Sequence, residues 1–136
     1  MAQVLLIVGA SIFGLLGVAH LYFTFFTTNF EPHDASVKTA MEGTSPVLTK
    51  ETTMWRAWVG FNASHSLGAM LLPAVYLPLT IFHFDLVQNS LWFAWLPVFV
   101  AIMFLILAKQ YWFRVPLLGI LISLVCFTAA AILINI

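Results

Sequence analysis

The chain has very few charged residues, and this scarcity excludes most classes of soluble protein. Only 7% of its 136 residues are Asp, Glu, Lys or Arg, whereas 62% are hydrophobic. Since a water-soluble domain has about a quarter of its residues charged, this composition indicates a protein surrounded by lipid. The formal net charge is zero, which gives no electrostatic reason to expect a nucleic-acid partner or a polybasic membrane anchor.

Cysteine and catalytic motifs are also scarce. The single cysteine, Cys126, forms no internal disulfide and leaves no CxxC pair for thiol redox chemistry or zinc binding. The sequence has no Ser-His-Asp set, no His-Glu-x-x-His motif and no phosphate-binding glycine loop. The apolar stretches hold no Asp, Glu, Lys or Arg away from their ends, which argues against proton- or cation-coupled transport. These absences favour a protein that is not an enzyme.

Four apolar stretches are each long enough to cross a hydrocarbon core of about 30 Å, which takes roughly 20 helical residues. They cover residues 4–27, 54–80, 91–108 and 115–136. The short links after the second and third stretches make those neighbours antiparallel. The sequence therefore predicts an all-α fold, in which residues 1–136 form a single membrane domain built as an antiparallel bundle of four transmembrane helices.

Residues 28–53 form the one long loop and hold most of the charge. Asp34, followed by ASVKTAME and then Gly43, predicts a short helix with an N-terminal cap. Val37 and Met41 share one face of it, with the i,i+4 spacing of a segment that rests at the membrane interface. We therefore expect a short interfacial helix in this loop.

The basic residues predict the orientation in the membrane. All five lie on the side shared by the long loop and the link after the third stretch, namely Lys38, Lys50, Arg56, Lys109 and Arg114. By the positive-inside rule this side is cytoplasmic. The sequence thus predicts a multi-pass protein of a bacterial inner membrane, with loop 28–53 in the cytoplasm and both termini in the periplasm.

Two histidines lie inside apolar stretches, where an ionisable side chain is costly and is a candidate functional residue. His20 stands in GLLGVAHLYFT and His65 in GFNASHSLGAM. Each lies among polar or aromatic neighbours at helical spacing, so the candidate site consists of His20, Thr24, Trp58, Asn62, His65 and Ser66. At a rise of about 1.5 Å per residue, His20 is roughly 11 Å and His65 roughly 15 Å from the cytoplasmic side. The two imidazoles are therefore predicted to face each other.

One interpretation of these polar residues is structural. Hydrogen bonds between transmembrane helices average about 0.6 kcal/mol, and small residues let the helix backbones approach closely. Gly60, Ser64 and Gly68 form such a small-residue row beside the polar residues of the second stretch. This interpretation needs no cofactor.

Two other interpretations involve a ligand. His20 and His65 on facing helices are a candidate metal-ligand pair for the iron of a b-type haem, with Asn62 or Ser66 orienting an imidazole. Alternatively, His20, Asn62, Trp58 and His65 line an amphipathic pocket for a quinone or a lipid. The sequence leaves all three interpretations open.

The segments WRAWVGFNASHSLGAM and GLLGVAHLYFT resemble a group of small bacterial four-helix membrane proteins, over the first two helices more than the last two. The resemblance implies the same fold and an accessory role, and it supplies no catalytic residue. We therefore expect a non-catalytic accessory subunit of a larger membrane complex, or a homo-oligomer. The alternative is an electron-transfer component that binds haem b, a quinone or a lipid through His20 and His65.

Overall fold

The regular structure is entirely helical. The computed structural model describes all residues, Met1–Ile136. Its helices are, in order, α1 (Ala2–Phe26), α2 (Ala35–Gly43), α3 (Met54–Phe82), α4 (Phe84–Gln88), α5 (Leu91–Tyr111) and α6 (Arg114–Asn135). The four long helices α1, α3, α5 and α6 are each long and apolar enough to cross a membrane. The predicted all-α bundle of four membrane helices, with a short helix in the first loop, is confirmed, and the chain is a multi-pass membrane protein.

The long helices begin and end within three residues of the predicted spans. The largest difference is at the end of α5, which continues to Tyr111 instead of ending at residue 108. The helix α3 continues through Pro73 and Pro78. The link between α3 and α5 contains the additional short helix α4, which was not predicted, because a helix of five residues is too short to show an apolar period.

Side-chain caps fix where three of the helices begin. Asp34, Thr53 and Ser90 each accept a hydrogen bond from a backbone amide two or three residues later, at 2.8, 3.2 and 3.4 Å. These bonds satisfy amides that have no partner within the helix. Hydrogen bonding from the side chain and then the amide of Ser36 also lowers the pKa of the exposed Asp34 carboxyl, which keeps the cap of α2 ionised.

Contacts along the chain divide it into two compact units. Unit 1 comprises Met1–Leu16 and Ala69–Ile136, and unit 2 comprises Gly17–Gly68. The helices α1 and α3 are each divided between the two units, whereas α5 and α6 belong entirely to unit 1.

Unit 1 contains the apolar core. Phe13 of α1, Tyr76 of α3 and Phe127 of α6 are buried in it. Phe13 packs edge-on against Phe104 of α5, with the ring centroids 5.1 Å apart. The Tyr76 hydroxyl donates a hydrogen bond of 2.9 Å to the Phe93 carbonyl, so its polar atom is satisfied inside the core. All four long helices thus contribute side chains to this core.

Two glycines of unit 1 lie against side chains of another helix. A Cβ atom added at Gly9 of α1 would lie 2.6 Å from the Phe127 ring of α6. A Cβ atom added at Gly119 of α6 would lie 2.8 Å from the Leu16 side chain of α1. Both glycines therefore make room for a side chain of the other helix, and the room is most restricted at Gly9, which faces an aromatic ring.

We expect Gly9→Ala to lower the free energy of unfolding by about 1–3 kcal/mol, because the fully buried Phe127 ring must leave its rotamer to admit a methyl group. Thermal unfolding in a single detergent measures the change. Gly43→Ala is the matched control, since a Cβ atom there meets no atom within 4 Å. A Gly9→Ala variant with the wild-type unfolding midpoint would contradict this account of the packing.

Candidate functional site

Unit 2 carries all six predicted site residues, and its interior is polar. Its buried side chains are those of Asn62 and Ser66, and none of its large hydrophobic side chains is buried. Residues 17–26 of α1 and residues 54–68 of α3 form its two long segments. Hydrogen bonds and ring contacts therefore hold this unit together at its centre.

A short chain of hydrogen bonds joins α1 to α3. The Nε2 atom of His20 lies 3.0 Å from Oδ1 of Asn62. The Nδ2 atom of Asn62 donates a bond of 2.9 Å to the Trp58 carbonyl, one turn earlier in the same helix. Because a carbonyl only accepts, this second bond fixes the Asn62 amide with its oxygen toward His20.

The orientation of Asn62 determines the tautomer of His20. Since Oδ1 of Asn62 is an acceptor, Nε2 of His20 carries the proton and donates the hydrogen bond. In the neutral imidazole the other nitrogen, Nδ1, then has a free lone pair. The ring of His20 makes no second side-chain hydrogen bond, so this lone pair is available to a ligand.

Two aromatic rings contact the imidazole of His20. The His65 ring meets it at an interplanar angle of 62°, with the centroids 5.3 Å apart, so the predicted proximity of the two histidines is present in the structure. The Phe30 ring lies on it at 4.4 Å and 36°. The indole Nε1 of Trp58 donates a 3.0 Å bond to the Phe30 carbonyl, which ties this loop residue to α3. His20 is thus held between α3 and the loop after α1.

The hydroxyls of the predicted site bond to carbonyls of their own helices. Thr24 donates to the His20 carbonyl at 2.8 Å, and Ser66 donates to the Asn62 carbonyl at 2.9 Å. Each bond runs back one turn within its own helix, which satisfies the hydroxyl without reaching a neighbour. Of the predicted residues, the structure joins His20 directly to Asn62 and His65, whereas Thr24 and Ser66 support the backbone around them.

A small cavity of about 20 Å³ adjoins the Asn62 side chain. Its lining combines hydroxyls, a carboxylate and aromatic rings, from Thr24, Thr27, Phe30, Glu31, Trp55, Trp58, Val59 and Asn62. A cavity of this size has room for about one water molecule. This cavity is therefore too small for an organic ligand.

The loop contributes contacts that helix periodicity does not show. The Lys38 ammonium of α2 forms an ion pair of 2.7 Å with Glu31 and lies 4.8 Å from the centroid of the Trp55 ring. These contacts attach α2 to the first turn of α3 and to the segment after α1. These residues, like Phe30, lie in the loop or contact it. Because the path of a loop does not follow a periodic pattern of residues, the sequence did not predict these contacts.

The site has few groups that could bind a metal. No group of three or more His, Cys, Asp or Glu side chains comes together in the chain. His20 and His65 are the two metal-ligating side chains of the site, and their rings touch each other directly.

Comparison with known proteins identifies no relative. No protein-family model matches the chain, and neither a curated protein nor a solved structure is similar to it. The resemblance to small bacterial four-helix membrane proteins therefore stays a prediction.

We expect nitrogen NMR of the protein in lipid to show His20 protonated at Nε2 and unprotonated at Nδ1, because Oδ1 of Asn62 only accepts. Asn62→Leu removes that acceptor. The proton should then distribute between both nitrogens, and the free energy of unfolding should fall by about 0.6–1.7 kcal/mol. In the control Ser64→Ala, which loses an exposed bond within α3, neither property should change. Protonation of wild-type His20 at Nδ1 alone would contradict the assignment.

Proposed function

We propose that this protein is a non-catalytic membrane subunit whose helix α3 packs against a transmembrane helix of a second copy or of a larger membrane complex. The observation that carries the proposal is the small-residue row Gly60, Ser64 and Gly68. A Cβ atom at Gly60 or Gly68 would meet no atom within 4 Å, and Ser64 is exposed. The sequence pattern suggested that this row lets two helices of the same chain pack closely. In the structure no other helix of the chain packs on it.

Small residues at every fourth position form a flat strip on which another helix can lie. In lipid, where burying apolar side chains gives little gain, such strips favour association by letting two backbones approach within van der Waals contact. The close contacts within this chain use other glycines, among them Gly9 and Gly119. The strip on α3 is thus available for a partner.

The hydrogen bonding of unit 2 supports a structural role for much of the polar cluster. Asn62 uses both its amide oxygen and its amide nitrogen within the unit. The hydroxyls of Thr24 and Ser66 are bonded to their own helices. A satisfied polar network of this kind fixes one register between α1 and α3, which keeps the exposed strip of α3 in a constant shape.

Leucine in the strip tests this proposal. We expect Gly60→Leu and Gly68→Leu to weaken association about tenfold or more, because the added side chains hold the two helices apart. Energy transfer between labelled copies in vesicles reports self-association, and purification from native membranes reports a different partner. Val125→Phe adds comparable bulk at an exposed position of α6 and should leave both readouts unchanged.

The outcomes separate the two kinds of partner. Loss of energy transfer in the leucine variants indicates a homo-oligomer, whereas loss of a co-purifying protein indicates a larger complex. A wild-type protein that is monomeric in vesicles and purifies alone from native membranes would refute the proposal.

We further propose that the membrane is a bacterial inner membrane and that both termini face the periplasm. The support is the segregation of the five basic residues to one side of the chain. In a Cys126→Ser background, we expect a cysteine at the exposed Asn89 to react with an impermeant maleimide added to spheroplasts. A cysteine at the exposed Lys50 should react only after lysis. The reverse pattern would invert the proposed topology.

The contact between the imidazoles favours a second candidate function, the binding of an amphipathic ligand. His20 and His65 are both half-exposed, so a molecule dissolved in the bilayer can reach them. Their centroid separation of 5.3 Å is that of rings in direct contact, which leaves no space between them for iron and a macrocycle. This geometry favours a quinone or lipid that lies beside both rings. It disfavours a b-type haem whose iron is ligated between them.

A further inference from the structure

We infer that the ligand of this site is an apolar molecule whose head group presents a hydroxyl, as a quinol does, and that Nδ1 of His20 accepts the hydrogen bond. The inference rests on the second candidate function and extends it, because it names the recognising atom and the redox form of the ligand. A quinone offers only carbonyl acceptors, and an acceptor cannot pair with a lone pair. The two forms of one molecule should therefore bind differently.

The polarity of the site originates in the backbone of α3. The Trp58 carbonyl accepts from Nδ2 of Asn62, Oδ1 of Asn62 accepts from Nε2 of His20, and Nδ1 of His20 is left as an acceptor. Each step follows from the one before, because a carbonyl oxygen has no proton to give. The chain of bonds thus ends in a nitrogen that requires a donor.

The surroundings favour the neutral imidazole, in which this lone pair exists. A buried or half-buried imidazolium is costly unless a carboxylate compensates it. The four apolar spans contain no carboxylate away from their ends. Glu31, the one acid that lines the adjoining cavity, is already paired with Lys38 at 2.7 Å.

The lipid tails around α1 cannot provide the missing donor. An unpaired acceptor in hydrocarbon costs free energy, so a hydroxyl-bearing molecule that partitions into the bilayer gains affinity by meeting it. The rings of Phe30 and His65 contact His20 at 4.4 and 5.3 Å, and the Trp58 side chain is 43% exposed. A flat aromatic head group can pack against such rings while its hydroxyl reaches Nδ1.

A matched pair of ligands tests the inference. We place the full chain in nanodiscs of phosphatidylcholine, whose head group has no hydroxyl, and titrate decylubiquinol and decylubiquinone by tryptophan fluorescence. We expect the quinol to bind about tenfold more tightly, the value of one hydrogen bond. His20→Phe should remove this preference, whereas His83→Phe, which replaces an exposed histidine outside the site, should retain it.

Nitrogen NMR of the wild-type protein provides a test that needs no variant. We expect quinol to shift the Nδ1 resonance of His20 in the direction of a hydrogen-bonded acceptor, and quinone to leave it in place. Nanodiscs of phosphatidylglycerol distinguish the source of the hydroxyl, since a glycerol head group that produces the same shift and displaces the quinol identifies a lipid ligand.

The outcomes distinguish this inference from the function on which it rests. Equal binding of quinol and quinone, both lost in His20→Phe, would overturn the hydroxyl preference and leave the ligand site standing. If neither molecule binds and phosphatidylglycerol does not shift Nδ1, both the inference and the second candidate function are refuted. The packing of α3 against a partner is measured independently by energy transfer.

Discussion

Hydrocarbon offers no hydrogen-bonding partner, and this constraint determines how the polar side chains of the protein are used. Five of those in the long helices bond to the carbonyl one turn earlier, namely Thr24, Asn62, Ser66, Ser123 and Asn135. Few side chains join different helices, so each bond that does so specifies a contact. Gln3 and Tyr76 provide such bonds in unit 1 and His20 provides one in unit 2, whereas the buried Thr80 hydroxyl has no partner.

The two units meet this constraint with different interiors. Unit 1 excludes polar groups from most of its core and is stabilised by contacts such as Phe13 on Phe104, with glycines where a side chain of another helix comes close. Unit 2 buries Asn62 and Ser66 and has no large apolar side chain in its interior. A close-packed apolar interior gives stability, whereas a polar interior gives one register and a set of directed atoms.

The long helices could be predicted because an uninterrupted apolar run has one stable form in lipid, and α2 could be predicted from the cap at Asp34. Helical spacing also placed His20 and His65 on faces that meet. The contact of Phe30 with His20 could not be predicted, because the path of a loop leaves no period in the sequence. The orientation of the Asn62 amide could not be predicted either, because its oxygen or its nitrogen can face an imidazole. The bond from Nδ2 to the Trp58 carbonyl decides between the two orientations.

Trp58 serves the site through two groups that respond differently to mutation. Its indole holds the Phe30 carbonyl, so a substitution changes how the loop covers His20. Its backbone carbonyl, which orients Asn62, is present in every amino acid and is kept as long as α3 stays helical at this turn. The backbone of α3 thus determines the direction of the Asn62 amide, whereas one side chain determines how the loop packs on His20. A substitution at this position can therefore change the packing of Phe30 on His20 while the Asn62 amide keeps its direction.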